Sequence, residues 1–322
     1  MTTGLVPQSH VFETAYGHHA LIVDGSRLYS IDRDTADALR YDPGNATRTL
    51  EQFGLLDADS LRVTHEAPLS IPVRSLSLAV AQKCNLACTY CYAQEGSFGS
   101  APKNMEHAAA TRAVELLFEN AMPGESVNLA FLGGEPLINR ALIRECTELA
   151  AAVGIRKSVR AKFSITTNET LLTPEDGLFF EQYGFAVTVS IDGVGATHDR
   201  QRPFRGGQGT FAKVISNVHP LLEMQRAMQV SARATVTPDN LHLRETLDHL
   251  LDLGFHSVGF SPMLNAPTAR GEMAADALSE MLAQMIECGE EFERRTARGE
   301  RYAFSNVATA IRECCTSMIM SP

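Results

Sequence analysis

Cys84, Cys88 and Cys91 place three thiols within eight residues, Cys84-Asn85-Leu86-Ala87-Cys88-Thr89-Tyr90-Cys91, shortly after the apolar run Leu76-Ser77-Leu78-Ala79-Val80-Ala81. A loop that short can wrap several sulfurs around one inorganic centre, and three protein ligands rather than four leave a metal position open for a substrate or cosubstrate. Structural zinc favours two separated ligand pairs and a closed tetrahedron. Here the next cysteine is Cys146 and no histidine lies close by. An iron–sulfur cubane on three cysteines keeps its fourth iron free, which fits spacings of three and then two intervening residues. A non-catalytic iron–sulfur or zinc-binding loop is the competing reading.

Two further segments carry polar groups where chemistry could use them. In Phe131-Leu132-Gly133-Gly134-Glu135-Pro136-Leu137, glycines after a strand let a ligand approach the backbone, and a proline in the first helical turn leaves Glu135 near the cap. A carboxylate there can accept hydrogen bonds from an ammonium group; an ordinary strand-to-helix turn is the plain alternative. The segment Val187-Thr188-Val189-Ser190-Ile191-Asp192-Gly193 is followed by His198-Asp199-Arg200-Gln201-Arg202. Polar groups at the carboxyl end of a parallel strand point toward the ligand mouth, although Ser190 could bond only to backbone and Asp192-Gly193 could be only a turn.

The elements that must position these residues alternate regularly after residue 70. Strand patterns fall at 76–81, 127–132, 161–167, 185–191, 230–236 and 257–261, with amphipathic helix patterns at 105–122, 137–153, 174–183, 210–224, 243–253 and about 273–298. Pro123, Gly154, Gly184 and Gly254 punctuate the helix ends. Six βα repeats with apolar strands predict an α/β fold whose parallel sheet is buried on both faces and binds ligands beyond the carboxyl ends of its strands. The cysteine loop, following the first of these strands, lies on that face.

The cysteine spacing, with an aromatic residue before the last cysteine, resembles the signature of the radical S-adenosylmethionine superfamily, and Gly133-Gly134-Glu135-Pro136 resembles its Gly-Gly-Glu-Pro motif. The resemblance implies a partial (β/α)6 barrel, a [4Fe–4S] cluster on Cys84, Cys88 and Cys91, and S-adenosyl-L-methionine held by Tyr90, Gly133, Gly134, Glu135, Ser190 and Arg202. Glu135 would hold its amino group, Ser190 its ribose and Arg202 its carboxylate, while Asp192 would be catalytic and face the substrate pocket. Thr166-Thr167-Asn168-Glu169-Thr170-Leu171-Leu172 resembles Thr-Asn-Gly-Thr-Leu-Leu, with Glu169 where a small residue is usual. Ser231–Thr235 and Gly259–Met263 are also similar to the peptide- and protein-modifying branch typified by anaerobic sulfatase-maturating enzymes. That branch implies a 5′-deoxyadenosyl radical that abstracts hydrogen from a peptide or protein substrate, and a reducing donor such as flavodoxin or ferredoxin. The same chemistry on a small metabolite stays open.

Two stretches depart from that branch. Its members usually carry a cysteine-rich carboxyl-terminal extension for auxiliary clusters, whereas only Cys314-Cys315 follow Cys288 here; the chain is either a truncated form or a single-cluster enzyme. The expected divisions are residues 1–70 as a small amino-terminal α+β appendage, 71–270 as the barrel and 271–322 as a helical segment. Within the first, 20–23, a turn at 24–27 and 28–31 read as a hairpin, followed by helices from about Asp34 and near Thr49. This resembles recognition domains that capture a leader peptide by strand addition; a cap over the barrel is the alternative. His18 and His19, adjacent on a strand, point to opposite faces and make poor co-ligands.

Composition narrows the function classes. Seven cysteines, three of them crowded, with no apolar signal segment or bilayer-length run among 322 residues, predict a reduced cytoplasmic protein without disulfides. The hydrophobic fraction of 44% suffices for a core. A net charge of −10 without a basic block disfavours nucleic acid, which needs clustered cations to neutralise phosphates.

Overall fold

Six strands align in parallel in the order β4-β5-β6-β7-β8-β9: β4 (Ser75–Ala81), β5 (Ser126–Gly133), β6 (Arg160–Thr167), β7 (Ala186–Ser190), β8 (Gln229–Val236) and β9 (Val258–Pro262). The structure, a computed structural model, describes residues 9–22, 27–41, 46–52, 72–265 and 269–319. It divides into two units, Met1–Ser70 with Val307–Pro322, and Ile71–Asn306. Residues 271–306 thus group with the sheet.

Each strand alternates because one face only is sealed. Leu78, Val80, Leu129, Phe131, Phe163, Ile165, Val187, Val189, Val230, Val236 and Phe260 are buried, on the face against which helices α3 (His107–Glu119), α4 (Arg140–Lys157) and α8 (Leu243–Asp252) pack. Phe185 lies at the centre of an aromatic cluster, with ring centroids 4.9 Å from Phe180, 5.4 Å from Phe163 and 6.1 Å from Phe131. The opposite face carries Ser77, Ala130, Ser164, Thr166, Thr188, Ser190, Ser231, Arg233, Thr235 and Ser261, none of them fully buried. The expectation of a sheet buried on both faces is therefore corrected: burial would leave these hydroxyls and the Arg233 guanidinium without water, and this face stays open among the described residues instead.

Both sheet edges are occupied, one by non-strand backbone and the other by a side-chain amide. At β4, Gln82 N–H donates to Lys103 O (2.8 Å) and Met105 N–H to Val80 O (2.9 Å). At β9, the Asn306 amide substitutes for a strand, donating to Phe260 O and accepting from Phe260 N–H, both at 2.9 Å. These contacts remove the unpaired edge groups that invite aggregation.

The crossover helices start and stop for local reasons. Helix α5 (Pro174–Tyr183) has a capping box, with the Thr173 side chain accepting from Asp176 N–H and the Asp176 side chain accepting in return, and it ends at left-handed Gly184. Helix α4 does not stop at Gly154 as its sequence suggests; it runs to Lys157 and ends at left-handed Ser158. Gly154 serves packing instead, since a Cβ there would sit 2.7 Å from Val159 O. The remaining helices are α6 (Ala196–Gln201), α7 (Phe211–Met224), α9 (Ala275–Ala297) and α10 (Ser305–Ile319).

In the other unit, β1 (Ser9–Thr14), β2 (Gly17–Ile22) and β3 (Arg27–Ile31) form an antiparallel sheet, followed by α1 (Arg33–Tyr41) and α2 (Ala46–Gln52). Ala20, Ile22, Leu39 and Leu50 form its small core. Strand β1 was not legible as part of the hairpin, and Asp24, Gly25 and Ser26 of the expected turn lie outside the described residues.

Candidate functional site

The cysteine loop leaves β4 and is held from two sides. Along one runs the end of α6 and the chain beyond it: Ala87 N–H donates to Pro203 O (2.9 Å), Thr89 N–H to Gln201 O (3.0 Å) and Arg205 N–H to Asn85 O (3.4 Å). The Arg205 guanidinium adds bonds to the carbonyls of Cys84 (2.9 Å) and Glu95 (3.3 Å). On the other side, beyond β6, Asn168 Nδ2 donates to Asn85 Oδ1 (3.0 Å) and lies 3.8 Å from Cys84 Sγ, while Asn85 Nδ2 donates to Thr170 Oγ1 (2.7 Å). Asn85, Asn168 and Arg205 are thus site residues that sequence reasoning did not single out. Asn85 and Asn168 carried a signal, their places in the quoted motifs, and Arg205 carried none.

The Gly133-Gly134-Glu135 turn meets this loop backbone to backbone. Gly134 N–H donates to Ala81 O and Glu135 N–H to Lys83 O, both at 2.8 Å. A Cβ at Gly134 would collide with Lys83 O and stand 2.8 Å from Gly96 Cα, and one at Gly133 would collide with Ala81 O. The missing side chains therefore make room for the cysteine loop itself.

Glu135, fully buried, caps the 3-10 turn Pro136–Asn139. Its carboxylate accepts from Leu137 N–H (3.0 Å), Thr167 Oγ1 (2.8 Å) and Asn168 N–H (2.7 Å). Burial pushes its pKa up, and these hydrogen bonds and Arg202 oppose that push. A carboxylate offers about four acceptor sites, so capacity for one further donor remains.

Tyr90, Asp192 and Arg202 converge as a buried group. The Tyr90 hydroxyl donates to Asp192 Oδ2. Arg202 Nη1 donates to the Tyr90 oxygen (2.5 Å) and lies 3.5 Å from Asp192 Oδ2. Thr235 N–H donates to Asp192 Oδ1 (2.8 Å) and Asn240 Nδ2 to the Asp192 carbonyl (2.7 Å). Asp192 is 1% exposed, and both of its carboxylate oxygens are engaged by protein partners. His198, also fully buried, accepts Asp192 N–H at Nδ1 (3.2 Å) and contacts Thr210 Oγ1 through Nε2 (3.0 Å). Burial, then the Arg202 charge, lowers its pKa to about 4. It is therefore neutral at pH 7. Ser190 stands apart from this group, paired in register with Arg233 on the open face.

The residues present fit the groups that the resemblance implies. Burial pushes the Cys88 thiol up to about 11 and raises Cys84 as well, while Arg202 favours thiolate at both. Iron ions held there would supply the positive charge that favours the thiolate form of these cysteines. Among the described residues no three His, Cys, Asp or Glu side chains converge tightly enough for one metal ion, whereas a cubane takes its cysteines one per iron. Arg202 Nε is buried without a hydrogen-bond partner, an orphaned donor of the kind that an anionic ligand satisfies.

Comparison with known proteins bears on family and fold. The cysteine-type anaerobic sulfatase-maturating enzyme of Clostridium novyi is 29% identical over 157 residues, 45% of this chain and 40% of that protein. The AdoMet-dependent heme synthase of Oleidesulfovibrio alaskensis is 29% identical over 170 residues, 52% of this chain and 39% of that protein. The chain thus spans less than half the length of either. A solved structure of native anSMEcpe with bound AdoMet and Cp18Cys peptide superimposes with a TM-score of 0.61 at 20% identity, over 72% of this chain and 63% of that one, a likeness of fold. The sequence profile of the radical SAM superfamily matches residues 78–251, more than half of the chain, and the protein belongs to that superfamily.

Proposed function

We propose that this chain binds a [4Fe–4S] cluster through Cys84, Cys88 and Cys91, binds S-adenosylmethionine beside it, and acts on a peptide or protein. The observation that carries the reading is the convergence of the cysteine loop, the buried Glu135 carboxylate and the Arg202 guanidinium. Arg202 acts electrostatically on Cys84, Cys88 and Glu135 alike, so cation, carboxylate and thiols share one small volume. Bound there, the pair would supply, with one electron from an external reductant, cleavage of the sulfonium carbon–sulfur bond into methionine and a 5′-deoxyadenosyl radical able to take a hydrogen atom from the substrate.

The residues divide the remaining work. The Arg202 fork holds the methionyl carboxylate, the free acceptor position of Glu135 takes its ammonium group, and Ser190, whose hydroxyl has no partner among the described residues, reaches the ribose. The open, hydroxyl-lined sheet face accommodates substrate, and the strap of residues 201–205 keeps water from the back of the cysteine loop. A peptide substrate is supported by the sulfatase-maturase relative and by the peptide in the superimposed structure. The heme-synthase relative supports a small-molecule reading of the same site.

The test is anaerobic. Reconstituted protein given dithionite and S-adenosylmethionine should release 5′-deoxyadenosine, and the Cys88→Ala variant should not. Stimulation by a cysteine- or serine-containing peptide, with a mass change in that peptide, supports the maturase reading. Stimulation by a tetrapyrrole and by no peptide would replace it with the metabolite reading.

A further inference from the structure

Arg202 divides its donors in a way that the function above does not use. Nη1 is engaged by the Tyr90 oxygen at 2.5 Å and approaches Asp192 at 3.5 Å, Nε is buried with no partner, and Nη2 donates to nothing among the described residues. A guanidinium presents Nε and the neighbouring Nη as a side-on fork that matches a carboxylate's two oxygens. Tyr90 and Asp192 therefore grip one corner of the plane and leave the opposite edge free. The grip is itself fixed: Asp192 Oδ1 is held by Thr235 N–H, its carbonyl by Asn240, and Arg202 O accepts from Thr210 Oγ1 at 2.5 Å. Tyr90 belongs to the cysteine loop, one residue before Cys91.

We infer that the Tyr90 hydroxyl and the Asp192 carboxylate are positioning groups that aim the free edge of Arg202 at the carboxylate of S-adenosylmethionine, so that the cluster-binding loop itself sets carboxylate recognition. The inference rests on the assignment of Arg202 to that carboxylate made above. It gives Tyr90 a role through its hydroxyl rather than its ring, and it gives Asp192 a role without substrate contact. A phenylalanine in place of Tyr90 would fill the same space and lose the tie.

Selectivity between S-adenosylmethionine and its decarboxylated analogue isolates the effect. Both are measured by anaerobic equilibrium dialysis against the reconstituted wild-type protein and the Tyr90→Phe, Asp192→Asn and Arg202→Met variants, with iron content and Tm recorded for each. Asp192→Asn keeps an oxygen for Thr235 N–H, and Tyr90→Phe provides the test should the asparagine variant fold poorly. The expected result is a loss of selectivity on the order of tenfold in Tyr90→Phe and Asp192→Asn, with affinity for the decarboxylated analogue unchanged. Adding Tyr90→Phe to Arg202→Met should then do nothing further. If Arg202→Met abolishes selectivity but Tyr90→Phe and Asp192→Asn retain it, the positioning role is overturned while the Arg202 assignment stands. Equal weakening of both ligands likewise overturns it, since a merely structural role predicts that. If Arg202→Met keeps full selectivity, the carboxylate assignment fails and this inference with it.

Discussion

Arg205 donates its Nε hydrogen to the carbonyl of Cys84 at 2.9 Å, across 121 residues of sequence. Together with the backbone bonds from Ala87 and Thr89 to residues 203 and 201, this makes the chain after α6 a strap on the cysteine loop. Arg205 is about half exposed, so its bonds contribute little to global stability, about 0–1 kcal/mol. Their effect is local: they limit the conformations of a loop that must present three sulfurs at once. Arg205→Met should leave Tm of the apoprotein nearly unchanged while lowering the iron retained after reconstitution and desalting. Full iron retention would show that the backbone bonds of the strap suffice.

Glu135 has a structural duty before any ligand arrives. Its three protein donors, at 2.7 to 3.0 Å, join the 3-10 turn to the loop beyond β6. Glu135→Gln replaces one accepting oxygen by a donor facing another donor, which leaves a buried N–H or hydroxyl unpaired and costs about 1–3 kcal/mol. Unfolding of the cluster-free variant in urea at neutral pH should reveal that loss with no S-adenosylmethionine present. An unchanged midpoint would assign Glu135 to ligand binding alone.

The sequence made the strands legible because their periodicity is local: 127–132 was read where Ser126–Gly133 forms, and 230–236 where Gln229–Val236 forms. The cysteine loop was legible because its ligands are contiguous. What escaped depends on contacts between distant segments. The open sheet face looked like core because Ala130 and Leu132 share β5 with Val127 and Phe131, and nothing local says that Thr166, Thr188 and Arg233 line up beside them. The tie from Tyr90 to Asp192 spans 102 residues and has no signature in either segment. Cys314 and Cys315 lie on α10, and their side chains fall outside the described residues.

Glu169, by contrast, was flagged in the sequence as out of place, and the structure gives the reason physical form. Its φ is +60°, in the left-handed region; it is fully buried; and neither carboxylate oxygen has a hydrogen-bond partner. Burial, followed by the charges of Glu135 and Asp176, holds its pKa well above the ordinary range. Below the unfolded-chain pKa of about 4.3 both states are protonated and the residue carries no charge penalty. As pH rises past that value the unfolded chain releases the proton first, so stability falls until the folded-state pKa is passed. Glu169→Gln should therefore raise the apoprotein Tm more at pH 8 than at pH 5.5. Glu169→Gly should show the same larger gain at pH 8, plus a further pH-independent gain of about 1 kcal/mol over the glutamine variant from relief of the left-handed backbone. An equal gain for the glutamine variant at the two pH values would mean that the acid is not protonated in the folded chain.

The iron content separates the roles of the cysteines. Cys84, Cys88 and Cys91 are half-buried on one loop, whereas Cys146 in α4 and Cys288 in α9 are 2% and 0% exposed and pack as small apolar side chains. Three ligands on one loop accommodate one cubane, so reconstituted protein should hold about four irons and about four sulfides per chain. Cys88→Ala leaves two thiols and should hold almost none, with loss of the visible absorbance that bleaches on reduction. Cys146→Ala and Cys288→Ala should keep about four irons and lose stability instead, because truncating a buried side chain leaves a small cavity. A stoichiometric cluster in Cys88→Ala would sink the assignment of the loop. Eight or more irons in the unmodified chain would require ligands beyond it, and the loss of the excess in a Cys314→Ala, Cys315→Ala double variant would locate them.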